Sequence, residues 1–323
     1  MNILFVMDPL DKLHIDGDST FMMMMESSRR GWSVWWCTPD DLFVLDGTAH
    51  AKIQSVVTSL EPIISGLENP AYPPHFICGD KEDQRLDMMD IVWMRKDPPF
   101  DMDYVFSTYI LDLLPASTLV LNDPRSIRNA NEKMFALQWA EFCPATLVTR
   151  EIERARKWAR NHEQVVIKPW DGNGGRGVLV SHYQDPNFRS MLEILTDNED
   201  QFILVQEYLP EVKSGDKRII LIDGEAVGWM ARIPQPGDHR GNMHVGARVD
   251  SFELSERDLE ICNAIGPELK KLGLLFVGID IIGSKLTEIN VTSPTGIREI
   301  NRLMGINLER QLADKIIDYL DAI

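Results

Sequence analysis

The sequence predicts two fold classes in succession, an amino-terminal α/β domain and then an α+β portion. Three observations carry this. Residues 2–7 read as a buried strand, a helical stretch follows, and the strand formers of 32–37 complete a β-α-β opening. That alternation stops at residues 122–125, where Asn-Asp-Pro-Arg marks a domain change. Beyond it the order is strand, helix, strand, glycine-rich loop and strand, a small α+β unit suited to covering a ligand as a lid.

Composition bounds what the chain does. Its 323 residues, 44% hydrophobic and 26% charged, suit a globular protein of about two or three domains. With 33 Lys+Arg against 50 Asp+Glu the formal charge is -17, so nucleic acid and anionic membrane surfaces are not expected partners. A small anion can still bind a local basic pocket. Cys37, Cys78, Cys143 and Cys262 are widely spaced, with no CxxC pair and no secretory signal, which fits a reduced cytoplasmic compartment. No stretch approaches the roughly 20 apolar residues that span a bilayer. The seven histidines form no HxH or HExxH pattern, which argues against zinc.

Taken in order, Asp8-Pro9 stops the first strand, and no GxGxxG follows it, which disfavours a dinucleotide role. Asp18 or Ser19 caps a helix running to Arg30, Gly31 ends it, and its four methionines are core. Pro, Gly and polar punctuation over 46–86 predicts an irregular or weakly paired connection. Residues 90–94 resume a strand. Arg95 and Lys96 at its carboxyl end stand where an open α/β sheet holds an anionic ligand, a solvated loop being the alternative. Residues 104–114 read as helix and 118–122 as strand. Residues 129–137 read as a helix carrying Lys133, which could be only a surface charge. A strand at 143–149 and an amphipathic helix at 151–161 precede the glycine-rich element. The strand at 202–210 has a polar end suited to reading an adenine edge. Asp223-Gly224 signals a hairpin turn, and 234–248 combines turn formers with cations as a mobile active-site loop would. Helices are expected over 255–272 and from about Asn307.

Two stretches carry the chemistry. In the first, the apolar run Val165-Val166-Ile167 ends in Lys168 and passes into Gly172, Asn173, Gly174, Gly175, Arg176 and Gly177. Glycines let backbone N–H groups converge on phosphate oxygens while the ammonium neutralises charge, although a glycine-rich turn between two strands would look similar. In the second, residues 276–291 form two apolar strands interrupted by Asp280, Glu288 and Asn290. These are hard oxygen ligands of the kind magnesium takes beside phosphate, and Glu288 and Asn290 share a strand face. The alternative is a solvated hairpin face.

With Gln206-Glu207-Tyr208-Leu209-Pro210 and Asp216-Lys217-Arg218 between them, these stretches resemble the ATP-grasp ligases. The stretches 7–9, 94–101, 131–133, 231–235 and 286–300 resemble the bacterial glutathione synthetase family over nearly the full length, with 46–86 the weakest part. The resemblance implies a Rossmann-like pre-ATP-grasp domain (1–123), then an ATP-grasp domain (124–323) made of a lid (about 134–203) and a carboxyl-terminal part. It implies ATP and Mg2+, with Mn2+ able to stand in, γ-glutamylcysteine and glycine as substrates, and a homo-oligomer, dimer or tetramer. Glutathione, ADP and phosphate would form through an acyl phosphate.

By the same resemblance, Lys133 and Lys168 contact ATP phosphates and loop 172–177 closes over them. Gln206, Glu207, Tyr208 and Leu209 hold the adenosine, and Asp216 sits on the nucleotide side. Arg218 and Arg232 face the transferring phosphoryl group as catalytic residues. Asp280, Glu288 and Asn290 carry the metal, while Arg95 and the loop around Arg240 meet the peptide. Two departures from the family pattern, Gly296 where some members have cysteine and Gly246-Ala247-Arg248 in place of a glycine-rich run, bear on substrate fit alone.

Overall fold

The chain starts with β1 (Asn2–Val6), α1 (Ser19–Arg29) and β2 (Ser33–Cys37), the β-α-β unit its pattern predicts. The computed structural model describes residues 1–61, 74–172, 175–235 and 247–322. Asp18 caps α1, its carboxylate accepting from Phe21 N at 2.7 Å, and Gly31 with φ 76° ends the turn after it. Met23 and Met24 are buried in the core beneath the sheet.

Next come β3 (Leu42–Leu45), β4 (Thr48–Thr58) and β5 (Phe76–Arg85), all antiparallel. For residues 46–61 and 74–86 this corrects the expectation of an irregular or weakly paired connection, and residues 62–73 fall outside the described residues. β4 and β5 pair from His50 opposite Arg85 to Thr58 opposite Phe76. β5 is largely exposed and carries Asp80, Lys81, Glu82 and Asp83, so its composition is that of a charged edge strand and resembles a loop. β6 (Ile91–Met94), α2 (Met102–Leu111) and β7 (Leu119–Leu121) complete a seven-stranded sheet in the order β3-β4-β2-β1-β6-β7, with β5 on β4. β2, β1, β6 and β7 run parallel and are mostly buried.

After α3 (Pro124–Asn129) the helix expected over 129–137 does not form. Asn131 Oδ1 accepts from the N–H groups of Lys133 and Met134, both at 3.1 Å, and this side-chain turn competes with helix propagation. Lys133 therefore sits in a turn, with a 3-10 segment at Phe135–Trp139 beyond it. A second sheet follows from β8 (Thr146–Thr149), α4 (Ile152–Ala159), β9 (Val165–Pro169), β10 (Leu179–Ser181), α5 (Phe188–Leu195) and β11 (Ile203–Glu207). It is antiparallel, in the order β10-β9-β11-β8. Ile152, Ala155, Val165, Ile167, Phe188 and Leu192 give it a small core of its own.

The third sheet, β14-β13-β12-β15-β16, is also antiparallel. Its chain order is β12 (Asp216–Ile222), β13 (Glu225–Ile233), β14 (Arg248–Asp250), α6 (Glu256–Lys271), β15 (Phe276–Ile282) and β16 (Lys285–Asn290). Asp223 (φ 53°) and Gly224 (φ 81°) supply the two left-handed residues a tight hairpin turn requires. Ser255 and Asp258 cap α6 reciprocally. The chain closes with α7 (Ile297–Met304), which the sequence pattern did not reveal, and α8 (Leu308–Leu320), which it did.

Asn122 fastens the first sheet to the third. Its Nδ2 donates to Phe276 O and Val291 O, both at 2.8 Å, and its Oδ1 accepts from Phe276 N at 3.0 Å. Ser19 Oγ accepts from Gly296 N and Ile297 N. Among the described residues no helix is long and apolar enough to cross a membrane.

Candidate active site

A cavity of about 700 Å³ is lined by the second and third sheets and by the loop after β6. The two chemistry-bearing stretches meet in it. Lys168, near the end of β9, places Nζ 3.9 Å from Glu288 Oε1 on β16. Burial pushes the Lys168 pKa below its ordinary value, with Glu288 opposing and Lys133 reinforcing the fall. Lys133 Nζ donates to the Glu132 carboxylate and to the Gly172 carbonyl. Burial would lower its pKa, but Glu288 and Glu132 outweigh burial and hold it above the ordinary lysine value. Gly172 is required by close approach, since a Cβ there would lie 2.4 Å from Pro169 Cγ and 2.9 Å from Arg176 O. Asn173, Gly174 and Arg240 fall outside the described residues.

Strand register builds the charged centre. Asp216 lies opposite Arg232, Arg218 opposite Asp280, and Asp280 opposite Glu288. Arg232 grips Asp216 at 2.7 and 2.8 Å and reaches Asp280 Oδ2 at 3.0 Å. Arg218 grips the same Asp280 at 2.5 and 2.9 Å. All four groups are buried. Burial alone would raise the Asp280 pKa, but Arg218 and Arg232 outweigh it and hold the carboxyl well below the usual range. Burial likewise works against the Arg232 charge, which Asp280 and Asp216 more than restore. The guanidiniums are thus fixed before any ligand arrives, and both line the cavity.

Among the described residues no three His, Cys, Asp or Glu side chains converge on one point. The expected metal trio is two carboxylates and an amide, with Asn290 Nδ2 3.4 Å from Asp280 Oδ2 and Glu288 ion-paired, among the described residues, with Lys168 alone. Glu288 and Asn290 are the freer donors, and Asp280 would share its oxygens with two guanidiniums. Two or three hard oxygens, with water and phosphate completing the shell, fit magnesium.

At the far end, Gln206, Glu207, Tyr208 and Leu209 line the cavity beside Val166, Val180 and Ile282. Glu207 N is taken by Ala145 O and Tyr208 N by Gln164 O, while Leu209 N has no backbone partner among the described residues. That leaves one donor for a planar base between apolar walls.

Arg95 stands apart from this group. It is buried outside the cavity lining, with Nε donating to Thr20 Oγ1 at 3.1 Å, Nη2 to Pro294 O at 3.1 Å, and the guanidinium over the Phe276 ring. In this position it ties the end of β6 to the loop after β16. Asp97 and Pro98 beside it do line the cavity. Gly296 has a structural reason: its φ is 117°, and a Cβ would meet Met230 Cε at 2.6 Å. Glu132 is a site residue that sequence reasoning missed, as are Asp97, Ser293 and Thr295, which also line the cavity. The only sequence signal for Glu132 is its position between Asn131 and Lys133.

Comparison with known proteins supplies the family. Residues 1–128 match the model described as prokaryotic glutathione synthetase, N-terminal domain, and residues 132–305 the model for its ATP-grasp domain. The glutathione synthetase of Agrobacterium fabrum (strain C58) is 41% identical, covering 99% of this chain and 98% of the relative. That of Thermosynechococcus vestitus is 42% identical over 97% of this chain and 98% of the relative. Among solved structures, D-cycloserine synthetase DcsG superposes with a TM-score of 0.67 at 14% identity, covering 99% of this chain and 100% of that one. D-alanyl-alanine synthetase A from Vibrio cholerae does so with 0.64 at 14% identity, over 99% and 98%. Those two likenesses show the fold alone. The two family models between them leave only residues 129–131 and the last 18 residues unmatched, so this chain belongs to the prokaryotic glutathione synthetases.

Proposed function

We propose that this chain joins γ-glutamylcysteine to glycine at the expense of ATP, giving glutathione, ADP and phosphate. The observation that carries the reading is the meeting of Lys168 and Glu288 in one cavity with the Arg218–Asp280–Arg232 network. A carboxylate does not react with an amine at neutral pH. A carboxylate oxygen of the dipeptide therefore attacks the γ-phosphorus, ADP leaves, and an acyl phosphate forms. The glycine amine then attacks the acyl carbon, phosphate leaves, and the nitrogen loses a proton. Such a path depends on positioning and charge neutralisation rather than on a covalent nucleophile.

In this reading Lys133 and Lys168 bind phosphate oxygens, the glycine stretch 172–177 lies over them, and Gln206 to Leu209 hold the adenosine. Arg218 and Arg232, held by Asp216 and Asp280, face the transferring phosphoryl group. Asp280, Glu288 and Asn290 would hold Mg2+, with Mn2+ able to stand in, and the ion when bound supplies positive charge at the phosphates. Arg240 meets the peptide, while Arg95 supports the peptide side through Pro294. We place the domain boundary at 123/124 and the lid at about 134–203.

The enzyme works in the cytoplasm as a symmetric homo-oligomer. An exposed apolar stripe of Met102, Phe106 and Tyr109 on α2, continued by Leu113 just past its end, supports a second copy as the partner. Asp103 lies at the start of the helix, and Arg125 lies near its end through its ion pair with Asp112. An antiparallel pairing across a twofold axis would set these opposite charges against each other.

The deciding experiment follows phosphate release with ATP and magnesium. Release that requires both γ-glutamylcysteine and glycine supports the reading. Release driven equally by other amino-acid pairs points to a different ATP-grasp ligase.

A further inference from the structure

Glu132 occupies a place that the nucleotide reading leaves without a role. It lines the cavity, its carboxylate accepts from Lys133 Nζ, and its main-chain carbonyl accepts from Ile289 N at 2.9 Å, between Glu288 and Asn290. The turn that carries Lys133 is thereby fastened to β16. The same turn holds the end of β9, through Asn131 Nδ2 to Trp170 O at 3.2 Å and Lys133 Nζ to Gly172 O. Asp216 and Asp280 are already taken by arginines. Glu132 instead occupies the ammonium that a phosphate oxygen would need.

We propose that Glu132 is a positioning residue that makes nucleotide binding conditional on a divalent cation, an inference that rests on the cavity being the nucleotide site. Without the cation, phosphate oxygens approaching Lys133 meet a half-buried carboxylate, where like charges repel more strongly than in water. With the cation, the added positive charge offsets the carboxylate, and Lys133 passes to the phosphate without an unfavourable charge balance. Glu132 thus discriminates the metal complex from the free nucleotide.

The test is calorimetric binding of the ATP analogue AMP-PNP to wild type, Glu132→Gln and Glu132→Asp, with excess magnesium and with chelator. Glu132→Gln keeps an acceptor for Lys133 and removes the charge. In chelator it binds about tenfold tighter than wild type, as expected for removing one close like charge, and with magnesium it changes by less than about threefold. Glu132→Asp keeps the wild-type dependence on magnesium. Equal magnesium dependence in Glu132→Gln and wild type overturns the proposal. So does a uniform loss of affinity in both conditions, which would mean that Glu132 only props Lys133. If no variant and no wild type binds AMP-PNP with magnesium, the nucleotide reading of the cavity itself fails.

Discussion

Lys168 Nζ on the second sheet stands 3.9 Å from Glu288 Oε1 on the third, and this pair joins the strand that runs into the glycine stretch to the oxygen-bearing one. The separation is wider than a tight ion pair. Both partners border the cavity, and Glu288 keeps the larger share of solvent contact. A phosphate oxygen and a metal ion can therefore be bound by the two sides of one gap.

The depressed pKa of Lys168 gives a sign for pH. In the proposed reading the ammonium form binds phosphate, so nucleotide affinity should fall as pH rises through a value below the ordinary 10.5. Lys168→Arg should move that alkaline limb upward, because a guanidinium does not deprotonate in this range. Titrating AMP-PNP affinity between pH 7 and 10 checks this, and a flat wild-type profile would count against Lys168 as a phosphate ligand.

Arg232→Ala should lower turnover by about a hundredfold or more if the guanidinium stabilises charge in the transition state. Single-turnover formation of ADP is the measurement. Normal turnover would mean that Arg232 serves only to neutralise Asp216 and Asp280.

The cation and carboxylate positions were legible because strand patterning is local. Glu288 and Asn290 share a face two residues apart, and Lys168 ends an apolar run. What sequence alone could not show depends on distant partners. Lys133 is in a turn because Asn131 captures two N–H groups that a helix would use. Arg95 is buried because Thr20 and Pro294, far away in the chain, close over it. The β4–β5 pairing was hidden by an edge strand whose charges resemble a loop.

Asn122 satisfies three buried main-chain groups of the third sheet. Asn122→Ala leaves them unpaired at roughly 1–3 kcal/mol each, so a loss of about 3 kcal/mol or more is expected. Urea unfolding measures it, and a loss below about 1 kcal/mol would mean that water replaces the amide.

The apolar stripe on α2 makes a specific demand on assembly. Phe106, 60% exposed, sits near its centre. If copies of the chain associate through this stripe, Phe106→Glu should sediment as a smaller species than wild type in analytical ultracentrifugation. Asp103→Arg and Arg125→Asp should each weaken association and together restore it, if the helices pair antiparallel. A wild type that is monomeric at every concentration, or a Phe106→Glu protein of unchanged mass, removes α2 as the contact.

The charged network makes the last prediction. Asp280→Asn leaves Arg218 and Arg232 buried and short of counter-charge, which should cost about 3–5 kcal/mol at neutral pH. The pH dependence follows from the Asp280 pKa, which the two guanidiniums hold well below the unfolded value near 3.8. A group depressed in this way contributes its full stability above the unfolded pKa and loses it as pH falls toward the native one. The gap between wild type and Asp280→Asn should therefore be widest at pH 7 and narrower by about 1 kcal/mol at pH 3, as read from urea unfolding at the two values. A gap that stays constant would mean that the arginines do not favour the ionised Asp280. It would also remove the reason for treating Arg218 and Arg232 as fixed in place before a phosphoryl group arrives.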